Sequence, residues 1–408
     1  MAQLVFHAAK IAFLYIFVWY INLSSMLPNS FSPTLKTLLL ALLFIYCTSA
    51  HAQQHFWHSD PEPSDSTRQT GELYLEVPAA FYFLNNEFFG AAVEGYTLPG
   101  YQLMPWLSYR LGERVVLGGG LNLQQEFGGN RTLAVQPLFS VQALLRPELQ
   151  LTLGYLNAYR DHRLSDALYY YEAEITAPYE MGFRFEYEGA STWGDAWMSW
   201  EQYIETGDTI PEIFTAGVSL RRDLWKRDRW ELVLPVQGLA LHRGGQVSDF
   251  EEAGTTAVNV AGGLELLRRG SRPDRNWGWF GQFLYYKDLK EAQQQGIYSG
   301  HAFYSGFTLQ MQSHRALLAF WQGQDFLSVR GNPIYHSVST FAPYEVLGRR
   351  QLIEGRYRWE QRLHPQAVFS FLLDGFLDLE TGQLDYGYSL RLSLTPAFFL
   401  GRPQDRLR

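Results

Sequence analysis

The chain has 408 residues and one cysteine, Cys47. Disulfides, cysteine metal sites and thiol catalysis are therefore excluded from everything after it. The first 52 residues contain no acid, and Lys10 and Lys36 are their fixed charges. Beyond residue 52 no stretch stays apolar for 18 residues, so no helix there is suited to span a bilayer. A basic excess is also missing. With those two lysines set aside, 31 basic residues face 41 acidic ones, a net charge of −10 against −8 for the whole chain. Nucleic acid, which calls for a basic face, is excluded as a partner. Beyond residue 52 there is no G-x-S-x-G, no H-x-x-x-H pair and no phosphate loop. These absences predict no catalytic residues, no metal and no cofactor, and hence a protein that is not an enzyme.

What is present begins with a leader. In "TLKTLLLALLFIYCTSAHAQQ", Lys36 supplies the basic end, residues 38–46 the apolar core and Ala50-His51-Ala52 the cleavage site. Residues 1–52 are thus a targeting region with a cleaved signal. Met26 is expected to be the more normal start, which would make residues 1–25 an over-extended reading frame. The rival, a membrane helix over 11–24, offers about 14 apolar residues where roughly 20 are needed. Lipidation of Cys47 is disfavoured because "FIYC" lacks small residues before the thiol. Residues 53–70 are polar and contain proline, which predicts a flexible N-terminus.

From residue 71 to 396 the chain alternates. In "QLIEGRYRWEQRLHP", Glu354, Arg356, Arg358, Glu360 and Arg362 fall at every second position, and Ile353, Tyr357, Trp359 and Leu363 lie between them. The same weave sets Tyr179, Met181, Phe183, Phe185 and Tyr187 against Glu180, Arg184, Glu186 and Glu188, and Ala196, Met198 and Trp200 against Asp195, Ser199 and Glu201. Period two over ten or more residues means strands with unlike faces, at the roughly 9–11 residues a tilted membrane strand needs. About 16 such strands (14 to 18) are expected. Short connections such as 112–113, 146–147, 313–314 and 364–365 take turns with long ones such as 84–99, 159–178, 243–254, 288–299 and 324–349. The segments "DLWKRDR" and "RRGSRPDRN" are long for the short class.

Alternation also builds soluble sandwiches. Dense charged rows, export and aromatic residues at 16% favour the membrane instead. Because lipid tolerates no unpaired backbone, a spanning sheet closes on itself. The expected fold is an all-β, closed antiparallel transmembrane β-barrel with short periplasmic turns and long extracellular loops, followed by a tail over 397–408. The expected lumen set is Glu354, Arg356, Arg358, Glu360, Arg362, Arg184, Glu186, Asp195 and Glu201. The expected aromatic girdle is Trp193, Trp200, Trp277, Trp279 and Trp359.

The phrases "LNNEFFG…EGYTLPG", "DAWMSWEQYIETGD", "EIFTAGVSL" and "LHRGGQV" resemble recurring segments of a family of porin-like outer-membrane barrels from Bacteroidota, over nearly all of 72–396. The resemblance implies the fold and a Gram-negative outer-membrane location, and no established activity.

Three functions fit such a barrel. The first is an aqueous pore for small polar solutes, with acidic and basic walls setting up a transverse field. The second is a scaffold in a larger envelope complex or a homo-oligomer. The third is a rim hydrolase, in which His242 of "LHRGGQVSDFEE", near Asp249, Glu251 and Glu252, acts as base; a plain turn bent by Gly244-Gly245 is the alternative reading of that stretch. His162, beside the Tyr169-Tyr170-Tyr171 run, is a weaker candidate of the same kind. The loop over 324–349 either folds into the lumen or packs on an outside partner, with the inward fold slightly favoured.

Overall fold

The computed structural model describes residues 68–129, 133–156, 162–177, 179–245, 254–272, 274–290, 296–341 and 345–403. The leader, most of the 53–70 segment and the acids Asp249, Glu251 and Glu252 lie outside the described residues. No described helix is long and apolar enough to cross a membrane.

Nineteen strands form one sheet: β1 (Leu73–Glu76), β2 (Ala79–Glu87), β3 (Tyr96–Leu103), β4 (Trp106–Leu111), β5 (Val115–Glu126), β6 (Ala134–Arg146), β7 (Leu149–Tyr155), β8 (Met181–Glu188), β9 (Thr192–Gln202), β10 (Glu212–Arg227), β11 (Trp230–Gly244), β12 (Thr255–Arg269), β13 (Arg275–Asp288), β14 (Ser299–Met311), β15 (His314–Gln324), β16 (Arg349–His364), β17 (Ala367–Asp378), β18 (Leu384–Leu394) and β19 (Ala397–Gly401). Three pairs are single staves interrupted at Pro78, Pro105 and Pro396, because proline donates nothing to a ladder. Sixteen staves remain. Every neighbour pairs antiparallel, and β2 with β18 and β1 with β19 close the cylinder. Residues 397–401, expected in a tail, are therefore part of the wall. The three interrupted staves stand side by side, with the β1/β2 stave in the middle, since β1 pairs with both β4 and β19.

The two connections expected to be long are short in the structure. β10 runs to Arg227 through an irregularity at Asp223/Trp225, which leaves Asp228-Arg229 as the turn, with Asp228 at φ 53°. β12 runs to Arg269 and β13 starts at Arg275. The strand pattern persisted into both segments, hidden by their arginines.

Cross-strand register assigns the faces. On β13, Phe283 and Tyr285 point outward and are exposed, while Phe280, Gln282 and Leu284 point inward and are buried. Exposed Phe139, Val218, Val260, Phe303 and Leu318 continue the outer apolar surface that lipid covers. Sixteen staves alone would enclose an aqueous channel. Here the interior is occupied. Leu168, Phe326, Ile334 and Tyr335, all from the connections 156–180 and 325–348, are fully buried against Phe280, Leu284, Tyr304 and Trp321 of the wall. The second of these is the loop 324–349, and the residues named from it fold inward.

Candidate functional site

The inner plug is built from two loops that grip each other and the wall. Tyr170 N donates to Arg330 O at 2.8 Å, and Asn332 N to Asp166 O at 2.9 Å. Pro333 opens a 3-10 turn, Pro333–Tyr335, which the side chain of Asn332 caps on Ile334 N at 3.0 Å. Asn259 of β12 imitates a strand partner: its Nδ2 donates to Leu327 O at 2.7 Å and its Oδ1 accepts from Val329 N at 2.9 Å.

Two charged clusters lock these loops in place. In the first, His162 Nδ1 lies 2.7 Å from Asp195 Oδ2 and Nε2 lies 2.9 Å from Glu180 Oε2. The ring stacks on Trp197 at 3.5 Å between centroids, and Tyr169 donates to Glu180. Trp197 finds its place over Gly217, where a methyl group would stand 2.2 Å from the indole. Burial alone would lower the imidazole pKa, but the two carboxylates outweigh it and raise it above the ordinary value. With both ring nitrogens held, His162 is a clamp and not a base. In the second cluster, Arg356 reaches Asp374 at 2.8 Å, Asp166 at 2.9 Å and Glu354 at 3.2 Å. Glu354 also accepts from Tyr304 at 2.5 Å and Tyr335 at 2.7 Å. Arg350 spans Asp378 at 3.0 Å and the loop carbonyl of Ile334 at 2.8 Å. His336, buried in the second loop, has its pKa lowered to about 4 by desolvation and the nearby Arg350.

The structure distributes the sequence-derived lumen set along this interior. Glu354, Arg356, Arg358, Arg184 and Asp195 are buried. Arg358 pairs with Glu360 at 2.5 Å, and Arg184 with Asp195 at 3.0 Å and Glu186 at 3.4 Å. Glu201 receives Arg330 and Thr215. Arg362 lies exposed near the short-turn end. The acidic wall is thus largely met by His162, Arg184 and Arg330, two of them on the loops. Of the five tryptophans, Trp200 is exposed on the outer face beside Phe214. Trp277, Trp279 and Trp359 share the outward register at the opposite end. Trp193 does not belong with them. It is 6% exposed, it shares the face of Asp195, its Nε1 donates to Glu186 at 3.2 Å, and Arg163 lies over its ring at 4.1 Å. Its odd position on β9 sets it inward.

A different arrangement stands on the outer face at the long-loop end. There β11 and β12 pair His242 with Thr256, and His242 Nδ1 lies 2.9 Å from Thr256 Oγ1. Phe214 of β10, directly opposite, stacks on the imidazole at 4.9 Å and 28°. Val236 and Val260, of the same parity, are exposed to lipid, whereas Gln237 and Asn259 are buried inside. This hydroxyl–imidazole pair therefore faces the outer leaflet near its surface. Hydroxyl and imidazole within hydrogen-bond reach form the basic unit of nucleophilic acyl transfer. Sequence inspection found His242 and missed Thr256. The signal was available in their equal distance from the 244–254 connection. Among the described residues, no group of three or more His, Cys, Asp or Glu side chains is arranged to hold a metal ion.

These features define a class: a Gram-negative outer-membrane β-barrel of 16 staves with described segments of two of its own loops packed inside it. The family model of lipid A 3'-O-deacylase-type proteins matches residues 64–403, and the chain belongs to that family. No curated protein matches it. Similar solved structures include the outer membrane protein OpdK of Pseudomonas aeruginosa, at 10% identity over 81% of this chain and 100% of that one, TM-score 0.48. OprD of the same organism is similar at 8% identity over 84% and 98%, TM-score 0.48. Acinetobacter baumannii OccAB4 is similar at 8% over 82% and 100%, TM-score 0.44. The expectation of a protein that is not an enzyme is overturned, because the family is one of deacylases. The missing G-x-S-x-G misled: it marks one fold's nucleophile turn, whereas cross-strand pairing brings a hydroxyl to a histidine without any contiguous motif.

Proposed function

We propose that the chain hydrolyses an acyl ester of an outer-leaflet lipid at the barrel's outer rim, with Thr256 as nucleophile and His242 as base. The observation that carries this reading is the 2.9 Å contact between His242 Nδ1 and Thr256 Oγ1 on the lipid-facing side. The description of the family as lipid A 3'-O-deacylase-type supports lipid A as that lipid. Lipid A sits in the outer leaflet, and this pair meets it there without any passage through the plugged lumen.

Nδ1 takes the Thr256 hydroxyl proton as Oγ1 attacks the ester carbonyl. The sugar oxygen then leaves with that proton, and the acyl chain stays on Thr256. Water, deprotonated by the same nitrogen, releases the fatty acid and restores the hydroxyl. Phe214 keeps the ring upright against the wall. The test is release of fatty acid from lipid A in detergent or vesicles. His242→Ala and Thr256→Val each lower the rate by about 10²- to 10⁴-fold, and Thr256→Ser keeps a measurable part of it. Full activity in His242→Ala overturns the assignment.

A second reading, passage of small polar solutes, is favoured by the charged inner rows and the width of 16 staves. It requires the two loops to withdraw.

A further inference from the structure

A second feature adjoins the rim pair. Gly244 ends β11, and Gly254 immediately precedes β12. Their backbones approach so closely that a methyl group on either would stand 3.2 Å from the other's Cα. A methyl on Gly244 would stand 3.3 Å from His242 Nε2, and one on Gly254 would stand 3.1 Å from Lys290 Nζ. The Arg243 carbonyl oxygen would also stand 3.1 Å from a methyl on Gly254, so the bare backbone of this notch has one nitrogen at each glycine and one carbonyl oxygen beside them. Lys290 is exposed, and its backbone N–H is fixed by Asp288 Oδ1 at 3.0 Å. Glu212, cross-strand from Gly244, is the nearby carboxylate in the register, and it accepts from Trp200 Nε1 at 3.1 Å.

We infer that this notch binds a phosphate group of the lipid that lies against the rim. When Nδ1 accepts from Thr256, the proton of the neutral ring is on Nε2, which makes the notch side a donor. An ammonium and an imidazole N–H, one beside each glycine of a bare backbone pair, suit a tetrahedral oxyanion, with one oxygen for each donor. A phosphate on Nε2–H also supplies what the hydroxyl–imidazole pair lacks among the described residues, a hydrogen-bond acceptor on the second ring nitrogen of the base. The catalytic consequence rests on the rim-hydrolase reading, while the binding itself does not.

The test is native mass spectrometry of the full chain in detergent, titrated with bisphosphorylated lipid A and, separately, with the same lipid after removal of both phosphates. Barrel integrity is followed by the heat-dependent shift in gel mobility. Folded wild-type protein is expected to retain the phosphorylated lipid at least tenfold better than the dephosphorylated one. Lys290→Gln and Gly254→Val, both still folded, are expected to lose that preference. Equal retention of the two lipids by the wild type, or an unchanged preference in folded Lys290→Gln, overturns the site. Displacement of the lipid by inorganic phosphate at equal concentration assigns the notch to a free anion and overturns the lipid assignment. Retention of the phosphorylated lipid without fatty-acid release refutes the hydrolase reading and leaves the notch standing.

Discussion

Arg356 shows how much one side chain holds. It meets three carboxylates, two on the wall and one on a loop, all away from water. Charges of that kind are tolerated because they are paired, and removing one partner is costly where removing the whole set need not be. Arg356→Met is expected to lower stability by about 3–5 kcal/mol, read from urea unfolding in lipid vesicles. Exposed Arg362→Ala, in the same row, is expected to stay within about 0.5 kcal/mol. The sequence showed both arginines as equal members of one alternating row. Which of them meets a loop depends on contacts such as that between Asp166 and Arg356, 190 positions apart, which periodicity cannot express. The same limit explains Trp193. Its ring suggested an interface, but the face is fixed by parity with Asp195, and parity sets it against Glu186.

Among the elements, the strands were legible and the loops were not. Strand positions follow from a period of two, which lipid and register enforce together. The inner faces of β13 to β16 carry Phe280, Leu284, Tyr304, Trp321 and Leu352, large apolar groups where a water-filled lumen would want polar ones. That departure was the sequence's trace of the plug. It becomes readable only once the apolar residues of 325–348 are seen to need a partner. Replacing residues 327–338 with a flexible glycine-serine linker is expected to convert a non-conducting barrel into one with stable open steps in planar bilayers. If the wild type already conducts at the same level, the loops do not obstruct the lumen.

For the whole molecule, the two plugging loops respond to pH in opposite senses. His162 has a raised folded pKa, so its contribution is complete below the unfolded value of about 6.5 and fades as pH rises through the folded value. His336 has a folded pKa of about 4, so its contribution is complete above about 6.5 and fades as pH falls toward 4. Urea midpoints from pH 4 to 9 are expected to fall on both sides of a maximum near neutrality. His162→Gln flattens the alkaline side, and His336→Asn flattens the acid side. Unchanged slopes in both variants would show that other groups set the profile.

The prolines at 78, 105 and 396 all interrupt adjoining staves around the place where the first strand meets the last. Elsewhere single register shifts occur inside unbroken strands, whereas along this line three adjoining staves are cut. A tube that must be threaded into a membrane and then sealed benefits from having one predetermined joint. The same joint sits on the side of the wall away from the rim pair, so the wall can ease there without disturbing β10 to β12.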